Sequence, residues 1–379
     1  MNSVSRITRV ASVAAAATLL AGATAGAAMA SERPVAKPAA SAQGLSSFAR
    51  IPFTSATVTA GTKSGTLTIS WAASKLHGVT VYAGKTQSSQ RHRVGAGSGT
   101  DTVTVTAAYG SWIRLVPSQG AALVLTVRDL GLASDPNLRD IGGYRTTDGQ
   151  WVKMGVVYRS QALSLSATDL ATVDQLGITA DYDLRTPAEI AASPDVVPAG
   201  ATYTNLNVLG DSSTTSISGV TSAAEAEQYM EEGERDFVTD STATTAFGSL
   251  LTGIADGKGA ALYHCSAGKD RTGWATAVIL TLLGVPESTV MQDYLLSNTY
   301  YYDSAAVQAM LAAMPAAEAA VYTPFMEVES SYLQAGLDQV KSSYGTMYDY
   351  AVKGLGLSPQ TIQKLRERLL VNGSANQRH

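Results

Sequence analysis

The 379-residue chain contains one cysteine, Cys265, and an arginine, Arg271, follows it after five intervening residues. A thiolate and a guanidinium at that spacing are the minimum for holding a phosphate dianion and attacking its phosphorus with sulfur. A free thiol titrates near ~8.5 and only its thiolate is nucleophilic; a helix N-terminus and a nearby cation lower that value. Arg271 offers a planar fork that matches two phosphate oxygens and stays charged. Between the two, Ser266, Ala267 and Gly268 are small enough for the backbone to curl round an anion. Lys269 adds a mobile positive charge and Asp270 a carboxylate able to carry a proton. Thr272 is placed to set a hydroxyl near the sulfur and ease its departure, Gly273 closes the run, and His264 precedes the cysteine.

The flanking segments say where such a run must sit. Ala260 to Tyr263 is apolar and short enough for a buried strand, and Trp274 to Leu283 is apolar and long enough for a buried helix. Gly284 and Pro286 mark the end of that helix. The run therefore occupies a strand-to-helix turn. At such a turn the unpaired N–H groups of the helix start, and the positive end of its dipole, point at whatever the loop encloses.

The run His264-Cys265-Ser266-Ala267-Gly268-Lys269-Asp270-Arg271-Thr272-Gly273 resembles the signature loop of the cysteine-dependent protein tyrosine phosphatases. Its Gly-Lys-Asp-Arg-Thr-Gly core is similar to one branch, the bacterial secreted phosphatases that act on phosphotyrosine, phosphoserine/threonine and phosphoinositides. Two upstream stretches fit that branch: Asn137 to Tyr144, and Val157-Tyr158-Arg159-Ser160 leading to Asp183-Leu184-Arg185. The resemblance spans about 133–371. It implies a two-step hydrolysis of a phosphomonoester through a phosphocysteine, with Cys265 as nucleophile and Arg271 on the phosphate. Ser266, Ala267, Gly268, Lys269, Thr272 and Gly273 would complete the substrate-binding loop, and His264 would orient it and tune the thiolate. The resemblance suggests Asp270 as the proton donor. Asp183 is the runner-up, since the short apolar stretch from Ile178 delivers it to a core strand end, where an ion pair with Arg185 or Arg159 is the competing role. Lys269 also hints at a second anionic group on the substrate. A phosphoinositide or other lipid phosphatase is the first alternative to a phosphoprotein phosphatase, and a catalytically silent phosphate-binding module the second.

The four histidines, His77, His92, His264 and His379, show no metal-ligand spacing, and neither metal nor cofactor is expected. A formal net charge of −4 argues against nucleic acid as the main partner. Residues 1–30 read as a signal peptide: Arg6 and Arg9 open it, an Ala/Val/Leu stretch follows, and Ala28-Met29-Ala30 is a small-x-small cleavage site. The apolar stretch is too short and alanine-rich for a membrane span, so a secreted protein without an integral membrane segment is expected.

Residues 31–44 read as a linker. From about Ile51 to Asp129 short runs alternate in period two between glycine-rich turns, indicating six or seven antiparallel strands in an immunoglobulin- or fibronectin-like sandwich over 45–130. Arg91-His92-Arg93 reads as a solvated turn, and the sandwich's ligand is unknown. Residues 133–371 alternate strands and helices, the pattern of an α/β domain with a mostly parallel central sheet flanked by helices. Ser166 to Asp169 and Thr186 to Glu189 read as capping boxes, and Ser358-Pro359 opens a helix with Ile362, Leu365 and Leu369 on one side. The polar stretch from Gly210 to Asp240 and the segment Tyr294 to Met314 are the two candidate covers of the site, and 372–379 reads as a tail.

Overall fold

In the computed structural model, residues 50–73, 75–210 and 219–371 are described. The signal peptide, the linker and the tail expected at the two ends lie outside the described residues, as does 211–218 of the first candidate cover. The alternating region folds as seven strands: β1 (Ser55–Ala60), β2 (Thr66–Ala72), β3 (Val79–Gly84), β4 (His92–Gly97), β5 (Asp101–Thr106), β6 (Trp112–Pro117) and β7 (Leu123–Leu125). They form two antiparallel sheets, ordered β1-β2-β5 and β4-β3-β6-β7. Alternate residues such as Leu67, Ile69, Val81, Ile113 and Leu115 are buried in one apolar core, as the two-residue period of a strand requires. His92 and Arg93 belong to β4 and not to a turn. That strand lies at a sheet edge and is too polar and glycine-rich to show alternation in the sequence. The same core takes in Trp151, Met154 and Val371, so residues on both sides of position 130 pack together.

The second region contributes β8 (Arg139–Asp140), β9 (Trp151–Val152), β10 (Val157–Ser160), β11 (Ile178–Asp183), β12 (Thr202–Asn205), β13 (Ala260–His264) and β14 (Leu370–Val371). Its helices are α1 (Ala167–Val173), α2 (Pro187–Ala192), α3 (Ala223–Thr239), α4 (Ser241–Asp256), α5 (Arg271–Leu283) and α6 (Glu287–Ser297). They continue with α7 (Ala305–Ala312), α8 (Ala316–Met326), α9 (Ser330–Tyr344), α10 (Met347–Asp349) and α11 (Pro359–Leu369). One sheet has the order β12-β11-β13-β10-β8; β12, β11, β13 and β10 run parallel and β8 antiparallel. Every residue of β13 is buried, as expected of the central strand of a sheet covered on both faces.

Helix α2 opens with a complete capping box between Thr186 and Glu189. At α1 only half of the expected box forms: Ser166 accepts from the Asp169 N–H, but the Asp169 carboxylate bonds Ser134 instead of reaching back. An aspartate is one methylene shorter than the glutamate that usually closes the box. Helix α3 docks Phe237 and Val238 into the core, and Tyr294 of the second candidate cover is itself a core residue.

Candidate active site

The parallel register sets Ser160 and Asp183 on either side of His264 at the carboxyl end of the sheet, where open α/β sheets present their sites. Cys265 follows at once and is buried, and the chain turns through Ser266–Asp270 into α5. Three partners hold the carbonyls of that turn from outside. The Ala162 N–H donates to Ser266 O at 3.1 Å, Asn137 Nδ2 to Ala267 O at 2.9 Å, and an Arg159 guanidinium nitrogen to Gly268 O at 2.7 Å. In a trans peptide C=O and N–H point opposite ways, so the amides of Ala267, Gly268 and Lys269 face the inside of the loop. The two upstream motifs thus act as the loop's outer frame. Gly268 is obligatory: φ is +70°, and a Cβ there would lie 2.3 Å from the Ser160 carbonyl oxygen.

Arg271 is the first residue of α5, and its fork is locked by Glu189. Nη1 donates to Oε2 at 2.8 Å and Nη2 to Oε1 at 2.7 Å. Burial disfavours the Glu189 charge, but Arg271 and the Ser266 hydroxyl more than offset it and hold the carboxyl down at about 2. The same carboxylate closes the capping box of α2, so one residue starts a helix and aims the guanidinium. In the sequence Glu189 reads only as a cap, and the Thr-x-x-Glu pattern directly after Asp183-Leu184-Arg185 is the signal available.

Lys269 is almost fully buried and donates to the Asp270 carboxylate at 2.8 Å. Asp270 stands at the N-cap of α5 without making a cap hydrogen bond, and its side chain is 23% exposed. Thr272 is buried and its hydroxyl has no hydrogen-bond partner among the described residues. Gly273 lets the ring of Tyr294 approach α5; a Cβ there would meet the ring at 2.8 Å. Asp183 is placed elsewhere. The Arg185 side chain takes both its oxygens, at 2.9 and 2.8 Å, the Arg185 N–H donates to Oδ1 at 2.9 Å, and the Tyr203 hydroxyl adds a fourth bond at 2.8 Å. Although burial opposes its charge, Arg185 and His264 keep the Asp183 carboxyl below its ordinary range.

The outer frame has its own buried ion pairs, which the sequence did not disclose. Arg159 reaches Asp293 of α6 at 3.1 Å, Arg139 donates to the Asp293 carbonyl, and Tyr144 donates to the Asp293 carboxylate. Asp183, Asp195 and His264 bring one oxygen or nitrogen each within 4.8 Å of one another, a spacing a metal ion accepts. Arg185 already bridges Asp183 and Asp195 there, so a guanidinium neutralises these two carboxylates.

Residues 130–371 match the model of a tyrosine phosphatase family. The chain belongs to that family. Among relatives of this phosphatase, a Cupriavidus necator protein assigned as a tyrosine-protein phosphatase is 32% identical over 248 residues, covering 62% of this chain and 88% of its own. The triple specificity protein phosphatase PtpB of Mycobacterium tuberculosis is 28% identical over 271 residues, 62% of this chain and 96% of that one. A tyrosine-protein phosphatase of Nostoc commune is 29% identical over 213 residues, 54% and 70% of the two chains. The chain is therefore an enzyme of the tyrosine phosphatase type. Among the described residues, no helix of this phosphatase is long and apolar enough to cross a membrane.

Proposed function

We propose that the protein is a secreted phosphatase that hydrolyses phosphotyrosine in proteins through a phosphocysteine. The observation that carries the mechanism is the pairing of Arg271 with Glu189 beside a loop whose amides face inward toward Cys265. The loop amides and Arg271 bind the phosphate oxygens. The Cys265 thiolate attacks phosphorus, the P–O bond to the leaving group breaks, and Asp270 gives its proton to the departing oxygen. Water then attacks phosphorus, Asp270 takes its proton, the P–S bond breaks, and inorganic phosphate leaves with the thiolate restored. Asp270 is favoured over Asp183 as the acid because it belongs to the loop and is partly exposed, while Asp183 is buried and bonded on both oxygens. His264 supports the loop from behind, and Thr272 is the residue nearest in sequence with a hydroxyl left over for the sulfur.

Secretion rests on the leader-like 1–30 segment, and the fibronectin-like reading of 45–130 on two antiparallel sheets sharing one core. Lys269 is engaged by Asp270, which leaves it less free for a second substrate phosphate and favours a phosphoprotein over a phosphoinositide. The test is turnover of the mature protein, in reductant and chelator, on a phosphotyrosine peptide and a phosphoinositide in parallel. Cys265→Ser should abolish turnover and still bind phosphate ester. Preference for the lipid would overturn the substrate reading, and turnover retained in Cys265→Ser would overturn the mechanism.

A further inference from the structure

Behind the signature loop lies a buried cluster of charges that the phosphoryl chemistry does not use. Four carboxylates face the His264 ring: Asp181 and Asp183 from β11, Asp195 from the segment after α2, and Asp135 from the segment before β8. Arg185 is the other cation, and Cys265 adjoins the ring along the chain. Nε2 of His264 lies 3.5 Å from Asp181 Oδ1 and 3.6 Å from Asp195 Oδ2, and Nδ1 lies 3.8 Å from Asp183 Oδ1. These carboxylates are not equivalent. Asp183 is taken by Arg185 and Tyr203. Asp195 accepts from the Leu163 N–H and from Arg185. Asp181 and Asp135 are fully buried, and neither their oxygens nor His264 Nε2 has a hydrogen-bond partner among the described residues; of the two, Asp181 is the one at ion-pair distance from the ring. A buried carboxylate without a donor is costly, so its one close charge has to compensate it.

That charge is the His264 ring, whose other nitrogen, Nδ1, sits 3.4 Å from the Cys265 carbonyl oxygen. We propose that Asp181 is a positioning residue for the signature loop: it fixes the His264 ring through Nε2, so that Nδ1–H holds the Cys265 carbonyl outward. The Ser266 amide is then turned into the loop, extending to the residue beside the sulfur the pattern seen at Ala267, Gly268 and Lys269. A ring charged on both nitrogens donates at both ends; a neutral ring donates at one only. Burial works against that charge, but Asp181, Asp183 and Asp195 together outweigh it and bring the ring to about 9. A second oriented carboxylate on a histidine is a familiar way of fixing which nitrogen carries a proton.

The chain has four histidines, so nitrogen-15 labelling of histidine and an NMR titration can follow His264 directly, with single substitutions of the other three giving the assignment. The ring should stay doubly protonated through pH 8 in the wild type. In Asp181→Asn it should lose its proton at least one pH unit lower, and the alkaline limb of kcat/KM should move with it, a loss of about twofold at pH 8 that approaches tenfold above pH 9. Asp195→Asn should shift the ring less, because Arg185 and Leu163 already hold that carboxylate. A wild-type ring that titrates near its ordinary 6.5, or an unchanged ring in Asp181→Asn, would overturn the proposal. So would stoichiometric release of a metal from purified protein by chelator with a change in the His264 signals. The activity arm rests on the phosphatase reading; the NMR titration needs no turnover, so failure of either is seen separately.

Discussion

Replacing Glu189 by glutamine tests whether the Arg271 fork must be aimed before substrate arrives. Glutamine keeps the size and still serves in a Thr-x-x-Gln capping box, so the start of α2 is preserved. It loses the charge and one of the two acceptors that take Arg271 at 2.8 and 2.7 Å. Hydrogen bonds to charged groups are worth about 1.5–3 kcal/mol each. Glu189 is 31% exposed and therefore partly screened. A net loss of about 2 kcal/mol in placing the guanidinium, roughly 30-fold in kcat/KM, follows. The assay is hydrolysis of p-nitrophenyl phosphate near pH 6 without metal, together with the inhibition constant of inorganic phosphate. Both should worsen in Glu189→Gln, and the melting temperature near neutral pH should fall, because the stabilisation supplied by the ionised Glu189 is lost. If kcat/KM and phosphate inhibition both stay within twofold of wild type, the guanidinium does not depend on Glu189 and the reasoning fails. The pair has an acid signature too. The Glu189 carboxyl is held at about 2 against an ordinary 4.5, so its stabilisation is complete above pH 4.5 and lost as pH falls toward 2. In Glu189→Gln that part of the acid-side loss of stability should be absent.

Gly268→Ala should cost more than about 2 kcal/mol of stability or abolish turnover, since its Cβ would lie 2.3 Å from the Ser160 oxygen at a φ of +70°; calorimetry and turnover check it. Asp293→Asn should destabilise by about 3–5 kcal/mol in a urea titration, because it leaves Arg139 and Arg159 buried without their counter-charge. A loss under 1 kcal/mol would show that the frame does not need that pair. Asp270→Asn should slow alkyl phosphates far more than p-nitrophenyl phosphate, whose leaving group needs no proton; equal slowing would remove Asp270 from the acid role. His264 is raised from 6.5 to about 9 in the fold, so its stabilisation is full below pH 6.5 and lost as pH rises through 9. The urea midpoint should fall across that window, and a midpoint flat from pH 6.5 to 9.5 would contradict the charged ring.

The phosphatase signature was legible because it is local. A strand, a ten-residue turn and a helix are contiguous, and β13, Cys265 and α5 lie where the apolar runs and the Gly284 stop place them. The same holds for α11, opened by Ser358-Pro359 with Ile362, Leu365 and Leu369 buried, and for the strands whose alternation is strict. Local patterns misled where a neighbour from elsewhere took over. Asp169 bonded Ser134 and left the α1 box half made, and β4 became a strand only because β3 supplied its hydrogen bonds.

What the sequence by itself determined is the set of reactive groups at the loop: a cysteine, an arginine and a carboxylate at fixed spacing. Only the tertiary structure decided what holds them. Glu189 meets Arg271 across 82 positions, Arg159 meets Gly268 across 109, and Asn137 meets Ala267 across 130. Spacing along the chain encodes contacts within one turn or strand, whereas these contacts exist because parallel strands bring distant residues to one edge of a sheet. Burial then fixes which charges must pair, and that is why Asp183 turned to Arg185 while Asp181 was left facing His264.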